Sequence, residues 1–319
     1  MKQPFWQNLR PGFHHRRIER GGIGFHCFVW RGRQPGPVLL LNGATHGDEY
    51  EGPVFLHELV GSWRPKVLRG TVVVVPVLYE ASFLGGRYVS PLDGKNLARV
   101  FPGRTRGSPT ERLARLFLDR LIRHADYYVD FHSAGAAYEI LPWVGYLTME
   151  EGEVLRKQRM MARCFDRYWC WGAPYLAGRT ISAACERGIP AIYLEGQGMG
   201  DVSASDLAAL WRGTKRMLVA LGFTPGKVRL RPQRVTRESR NAQEHYLDFQ
   251  HASPCDGALM SIVKAGQRLR RGARVGVVQP LDGSKPQVVR AEQSGRVIFA
   301  RRHRYLRKGD GLVSIIPLP

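Results

Sequence analysis

The sequence predicts an α/β protein: a mixed, largely parallel sheet flanked by helices, followed by a small all-β C-terminal domain. Three observations carry this. Apolar runs at 37–42, 71–77, 127–131 and 189–194 are nearly continuous, as in strands covered on both faces. Helical patterns separate them, the order expected of crossover connections. From about residue 250 the helical period disappears, and short strands alternate with Gly turns. The expected division is 1–224 and 225–319.

Residues 1–36 read as a basic, Gly-punctuated lead-in, in which 25–29 alternate as an edge strand would. Pro35 and Gly36 turn the chain into the strand at 37–42. A Gly-rich turn at 43–52 holds His46 and Glu49, and a helical pattern runs from Pro53 to Trp63. After the strand at 71–77 comes a long segment, 79–107, whose apolar and aromatic content points to a functional loop rather than disorder. Ser108, Pro109 and Glu111 form a capping box with proline at the first helical position, and Leu113, Leu116, Phe117, Leu118 and Leu121 give that helix its buried face. The strand at 127–131 ends in His132. Helical patterns at 149–169 and 179–187 precede the strand at 189–194, which ends in Glu195. A long amphipathic helix covers 201–221, with Asp201 or Ser203 as cap.

Pro225 and Pro232 bracket a basic linker. Beyond it, 256–272 and 294–310 resemble each other, each a Gly-led strand, a basic turn and a further Gly. That repetition predicts a small barrel or sandwich with internal two-fold symmetry, similar to the hammerhead of lipoyl and biotinyl domains. No Met-Lys-Met acceptor is present, so Lys264 reads as a surface residue.

At 319 residues, with 44% hydrophobic and 24% charged residues, the chain has the composition of a globular protein with a sizeable core. The absence of a long apolar run and of a signal-peptide core predicts a cytoplasmic protein without membrane association. The five scattered cysteines contain no CxxC pair, which argues against a disulfide framework or thiolate zinc site. The net charge is +21 and uneven: residues 224–319 hold about 19 Lys/Arg against about 7 Asp/Glu. No nucleic-acid-binding motif accompanies it, so a solvated basic face is expected rather than a nucleic-acid partner. Homo-oligomerisation is left open.

A His and a Glu three positions apart are, alone, an ordinary polar turn. Here three strand ends each deliver a polar group: His46 with Glu49, His132, and Glu195. In open α/β sheets ligands bind beyond the carboxyl ends of strands. Two imidazoles and a carboxylate are the catalytic zinc pattern with a fourth position open, and Glu195 is then placed to act as base on a water. Taken singly, His132 could equally be a core histidine, and the arginines below surface charges.

These motifs resemble the succinylglutamate desuccinylase/aspartoacylase family over essentially the whole chain. Thr45-His46-Gly47-Asp48-Glu49 is similar to its first zinc motif, Asp130-Phe131-His132-Ser133 to its second, and Ile192-Tyr193-Leu194-Glu195-Gly196 to its catalytic-glutamate segment. The resemblance implies a zinc carboxypeptidase-like fold, one Zn²⁺ per chain on His46, Glu49 and His132, and Glu195 as catalytic base. It implies Arg87 as the group polarising the scissile carbonyl and Arg99 as a substrate-carboxylate arginine, with Asn96 and Arg179 as further substrate-binding candidates. Where the family has Leu-Asn-Arg, this chain has Ala98, whose methyl cannot hydrogen-bond a carboxylate. The expected activity is hydrolysis of a non-peptide amide in a small N-acylated amino acid or amine. The alternatives are a carboxypeptidase-like hydrolase of peptides or murein peptides, and a basic binding protein with a vestigial metal site.

Overall fold

The computed structural model describes residues 3–230, 236–239 and 251–317. Among the described residues are seventeen strands and six α-helices. The strands are β1 (Gly12–Arg20), β2 (Ile23–Arg31), β3 (Gln34–Gly43), β4 (Arg69–Val75), β5 (Tyr127–Ser133), β6 (Tyr138–Ile140), β7 (Trp143–Leu147), β8 (Trp169–Ala173), β9 (Ala191–Gly196), β10 (Thr236–Glu238), β11 (Gly257–Ile262), β12 (Arg268–Leu269), β13 (Arg274–Pro280), β14 (Gln287–Arg290), β15 (Gly295–Arg301), β16 (Tyr305–Leu306) and β17 (Val313–Ile316). The helices are α1 (Glu51–Ser62), α2 (Glu80–Leu84), α3 (Pro109–Arg120), α4 (Glu153–Arg163), α5 (Thr180–Cys185) and α6 (Ala204–Ala220).

The chain divides into two compact units. The first takes the chain up to Ser133, then Pro142–Gly196, then Val202 onward through β10; it thus runs beyond residue 224, where the sequence reading set the division. The second takes Ala134–Leu141, Gln197–Asp201 and the described residues from His251 on. Pro232, one end of the expected linker, lies outside the described residues.

The first unit is built on a nine-stranded sheet in the order β1-β2-β4-β3-β5-β9-β7-β8-β10. Strands β4, β3, β5 and β9 run parallel, while β1, β2 and β7 introduce antiparallel pairings. This is the expected mixed, mostly parallel α/β class. Side-chain alternation divides the core. Leu40, Tyr128, Ala191 and Tyr193 pack on one face with α3 and α5. Leu39, Leu41, Val129, Phe131, Ile192 and Leu194 pack on the other with residues of α1, α4 and α6. The capping box on α3 is present as expected, as is the Ser203 cap on α6.

Two local expectations are corrected. The strand at 25–29 is interior: β2 pairs with β4 on one side and with β1 on the other. The lead-in is itself a strand, joined to β2 through Gly21 and Gly22, whose φ values of 59° and 75° suit a tight hairpin turn. As the true edge, β1 is mostly exposed and rich in His and Arg, which discourages further pairing. The second correction is at 149–169, where α4 is shorter than expected and the chain enters β8 at Trp169.

In the second unit the two similar segments appear as β11–β12–β13 and β15–β16–β17. Each long strand pairs antiparallel with the third strand of its own segment and with the short strand of the other: β11 with β16, and β15 with β12. That reciprocal exchange is a two-fold relation. Strand β6 adds to β15, and Leu259, Val278, Val297 and Ile315 centre the core.

Candidate metal centre and active site

Strand β3 ends at Gly43, and the chain leaves the sheet through the buried Ala44 at φ 49°. Gly47 then passes against α2: a Cβ there would lie 2.0 Å from backbone atoms of Ser82. Its N–H donates to the Arg87 carbonyl at 2.9 Å. Gly52 lets α1 settle onto β5, because a Cβ would lie 2.6 Å from that of Phe131. Small residues thus bring the β3–α1 turn close to the end of β5. His46 and Glu49 are each 4% exposed, and the His132 side chain 9%.

Glu49 lies between the two imidazoles. Its Oε1 lies 2.7 Å from His46 Nδ1 and its Oε2 2.8 Å from His132 Nδ1. The ring centroids are 5.1 Å apart, and one donor atom from each of the three residues falls within 4.8 Å of the others. The outer nitrogens are also held. His132 Nε2 contacts Asp130 Oδ2 at 2.9 Å, and His46 Nε2 contacts Asn96 Oδ1 at 3.0 Å. Tyr88 stacks on His46 with 4.1 Å between centroids.

Behind His132 is a fully buried polar network. Asp130 Oδ1 accepts from Asn42 Nδ2 and from Thr45 Oγ1, both at 2.9 Å. Thr180 Oγ1 donates to Asp130 Oδ2 at 2.5 Å, and Tyr128 donates to Asn42 Oδ1 at 2.6 Å. Burial opposes charge on Asp130, but His132 and the surrounding donors outweigh it and hold its pKa below the usual range. Burial likewise opposes the Glu49 carboxylate, yet the two histidines bring its pKa down to about 2. For His132 burial disfavours the cation, and the Asp130 and Glu49 carboxylates override it to raise the pKa well above the ordinary value.

The donor set fits a divalent metal. Both imidazoles turn Nδ1 inward and have their Nε2 occupied by oxygen acceptors, the arrangement that orients histidine ligands. Two nitrogens and a carboxylate suit zinc with a position open for water or substrate.

Glu195 lies opposite His132 in the parallel β5/β9 pairing and opposite Trp143 of β7, and it is half-buried. Alternation along β9 sets it on the same face as Tyr193, as it sets Tyr128, Asp130 and His132 on one face of β5. Arg87 is exposed, with its carbonyl tied to the His46 turn. Arg99 is exposed, and its Nη1 donates to the Ala98 carbonyl at 2.9 Å, while Ala98 itself is buried. Arg179 is half-buried just before α5. The backbone of the neighbouring Gly178 abuts Arg99, with its carbonyl accepting from the Phe101 N–H at 3.0 Å. Among the described residues, no hydrogen bond or ion pair joins Arg87, Arg99 or Arg179 to the His–Glu–His cluster. Sequence reading gave no role to Asn42, Thr180 or Tyr88, and quoted Thr45 and Asp130 only as members of the zinc motifs. For Asp130 a signal existed: two residues before His132 on a strand means the same face.

The α/β sheet thus carries a buried His–Glu–His cluster at its strand ends, where open sheets of this class bind ligands. The succinylglutamate desuccinylase/aspartoacylase catalytic domain matches residues 35–221. An N-α-acetyl-L-2,4-diaminobutyric acid deacetylase of Halomonas elongata is 31% identical over 85% of this chain and 79% of its own. The product-bound ectoine utilization protein EutE (DoeB) of Ruegeria pomeroyi superposes with a TM-score of 0.87 at 28% identity, over 99% of this chain and 98% of that one. A succinylglutamate desuccinylase from Silicibacter sp. TM1040 gives 0.86 at 27% identity, over 96% and 95%. The chain belongs to the succinylglutamate desuccinylase/aspartoacylase family.

Proposed function

We propose that this protein is a zinc-dependent deacylase that hydrolyses the amide bond of a small N-acylated amino acid. The convergence of His46, Glu49 and His132 beside Glu195 carries the reading. Zinc at these ligands would supply Lewis acidity to the substrate carbonyl and bring the pKa of a water toward ~7. His46 and His132, whose Nδ1 atoms face Glu49, would hold it together with the Glu49 carboxylate. Glu195 takes the proton of the attacking water as that oxygen bonds to the acyl carbon. It then delivers the proton to the departing amine nitrogen as the C–N bond breaks. Arg87 holds the developing oxyanion. Arg99 and Arg179, brought near each other through Gly178, supply positive charge for a substrate carboxylate.

The relatives support the substrate class. One removes acetyl from a diamino acid, and a second is an ectoine utilization protein seen with product. An N-acetylated amino acid is therefore the first substrate to try, with N-succinyl compounds second. A cytoplasmic location accords with the five free cysteines, four of them buried. No helix among the described residues is long and apolar enough to cross a membrane.

The test is metal analysis of the purified protein, then amine release over N-acetyl, N-succinyl and longer N-acyl amino acids. Glu195→Gln should retain one zinc and lose about 10²–10⁴-fold in kcat. An unchanged rate, or a protein that never binds zinc, overturns the reading.

A further inference from the structure

The two imidazoles of the cluster are oriented by unlike partners. His132 leans on a carboxylate, whereas His46 leans on an uncharged amide, Asn96. The Asn96 oxygen is engaged twice, accepting from the Ala98 N–H at 2.8 Å and facing His46 Nε2 at 3.0 Å. The first contact fixes the orientation of the amide, because the flipped rotamer would set an NH₂ against the Ala98 N–H. With oxygen assigned there, His46 Nε2 must be the protonated nitrogen, and Nδ1 is the one turned toward Glu49.

The loop that delivers Asn96 is pinned from behind. Asp93 accepts from the Thr110 hydroxyl at 2.6 Å, the Thr110 N–H at 2.9 Å and the Lys95 N–H at 3.2 Å. Tyr79 bonds both Ser90 and Thr110 through its hydroxyl, and the Ser90 N–H donates to the Lys95 carbonyl. The first turn of α3 therefore fixes the loop, and the loop fixes Asn96. Tyr88, from the same loop, covers one face of the His46 ring.

We propose that Asn96 is the positioning residue of the metal ligand His46, setting its tautomer and ring orientation, rather than a contact to substrate. This rests on the metal reading above. The role predicts an effect on metal affinity that a substrate contact would not produce, of the 10–100-fold size seen when partners of ligating histidines are removed.

Asn96→Ser separates positioning from local structure. A serine hydroxyl still caps the Ala98 N–H but is too short to serve His46 as well. Asn96→Asp restores an acceptor for both. Zinc affinity of wild type and both variants is measured by competition with a chromophoric chelator, with melting of the metal-free proteins as the fold control. Expected is a 10–100-fold loss of zinc affinity in Asn96→Ser with an unchanged melt. Recovery to within about threefold is expected in Asn96→Asp. With the deacylase substrate, kcat of Asn96→Ser should fall while its KM stays within about twofold. Wild-type zinc affinity in Asn96→Ser, or a rise in KM alone, overturns the proposal and leaves the metal reading standing. A wild-type protein without zinc affinity overturns the metal reading itself and this proposal with it. If Asn96→Ser does not fold, Asn96→Asp and wild type compared by nitrogen-15 histidine spectra decide, since the proposal requires His46 Nε2 to carry the proton in both.

Discussion

Asp130→Asn changes almost no volume, so its effect isolates the chemistry of one oxygen. The wild-type carboxylate serves four donors: Asn42 and Thr45 on Oδ1, Thr180 and His132 on Oδ2. Asparagine offers one oxygen and one NH₂. If the oxygen keeps Asn42 and Thr45, the NH₂ meets Thr180 and His132. The Thr180 hydroxyl can rotate and accept, but His132 Nε2–H cannot accept without losing its proton. The imidazole then becomes the Nδ1–H tautomer, and the lone pair aimed at the metal position is gone. The cost is one buried charge-assisted hydrogen bond, about 1.5–3 kcal/mol. At about 1.4 kcal/mol per decade this is a roughly 10–100-fold loss of zinc affinity. Chelator competition measures the affinity, and urea unfolding of the metal-free variant should show a loss of about 1–3 kcal/mol. Zinc affinity within threefold of wild type would refute the tautomer argument, even if the protein were less stable.

Two further outcomes follow from the loop and the turn. Burial opposes charge on Asp93, but the Thr110 hydroxyl and amide bonds hold its pKa below the usual range. A depressed carboxylate contributes stability in full above its unfolded pKa of ~3.9 and loses it as pH falls through the folded value. Asp93→Asn should therefore cost about 1 kcal/mol at pH 7, after discounting for partial exposure, with the gap to wild type narrowing by pH ~3. Urea midpoints at the two pH values check this, and an undiminished gap at the lower pH counts against it. Gly47→Ala should lower stability by about 2–3 kcal/mol, since its Cβ would meet the Ser82 backbone at 2.0 Å and one of the two must move. Calorimetric melting tests it, and a melt equal to wild type would mean that the close approach is not fixed.

The parts of the fold visible in sequence were those governed by local pattern. The buried strands β3, β4, β5 and β9 announced themselves by nearly continuous apolar runs, and α3 by its capping box. Strand β1 did not, because an edge strand needs no apolar face and its His and Arg residues look like a solvated tail. Strand β8 was not assigned, apart from Trp169 at the end of the helical pattern, since it is a short strand that pairs non-locally with β7. The three metal-ligand candidates were legible because each follows a recognisable strand. Thr180 was not, for its partner Asp130 is fifty residues away in sequence and joined only by the tertiary fold. Asn96 entered as a substrate-binding candidate through the resemblance; its contact with His46 Nε2 at 3.0 Å, made by a loop fifty residues on, had no sequence signal.

The neutrality of Asn96 has a consequence for the charge of the site under the zinc reading. Glu49 and Asp130 both ionise readily here, their pKa values held low, so together they bring two negative charges. Neutral ligating histidines add none, and a divalent ion brings the buried cluster to zero. Under the deacylase reading, an aspartate at position 96 would leave a net negative charge at a site that an acylated amino acid has to enter. Repulsion there is weakly screened because the ligands are buried. With an amide instead, the arginines at 87, 99 and 179 would, on the same reading, set the sign of the field that an incoming anion meets. The same substitution that weakens the electrostatic support of His46 thus favours approach of an anionic substrate. Asn96→Asp should accordingly keep zinc while raising KM for carboxylate-bearing substrates more than for their esters or amides. Equal effects on both would break the link between the amide at position 96 and substrate charge.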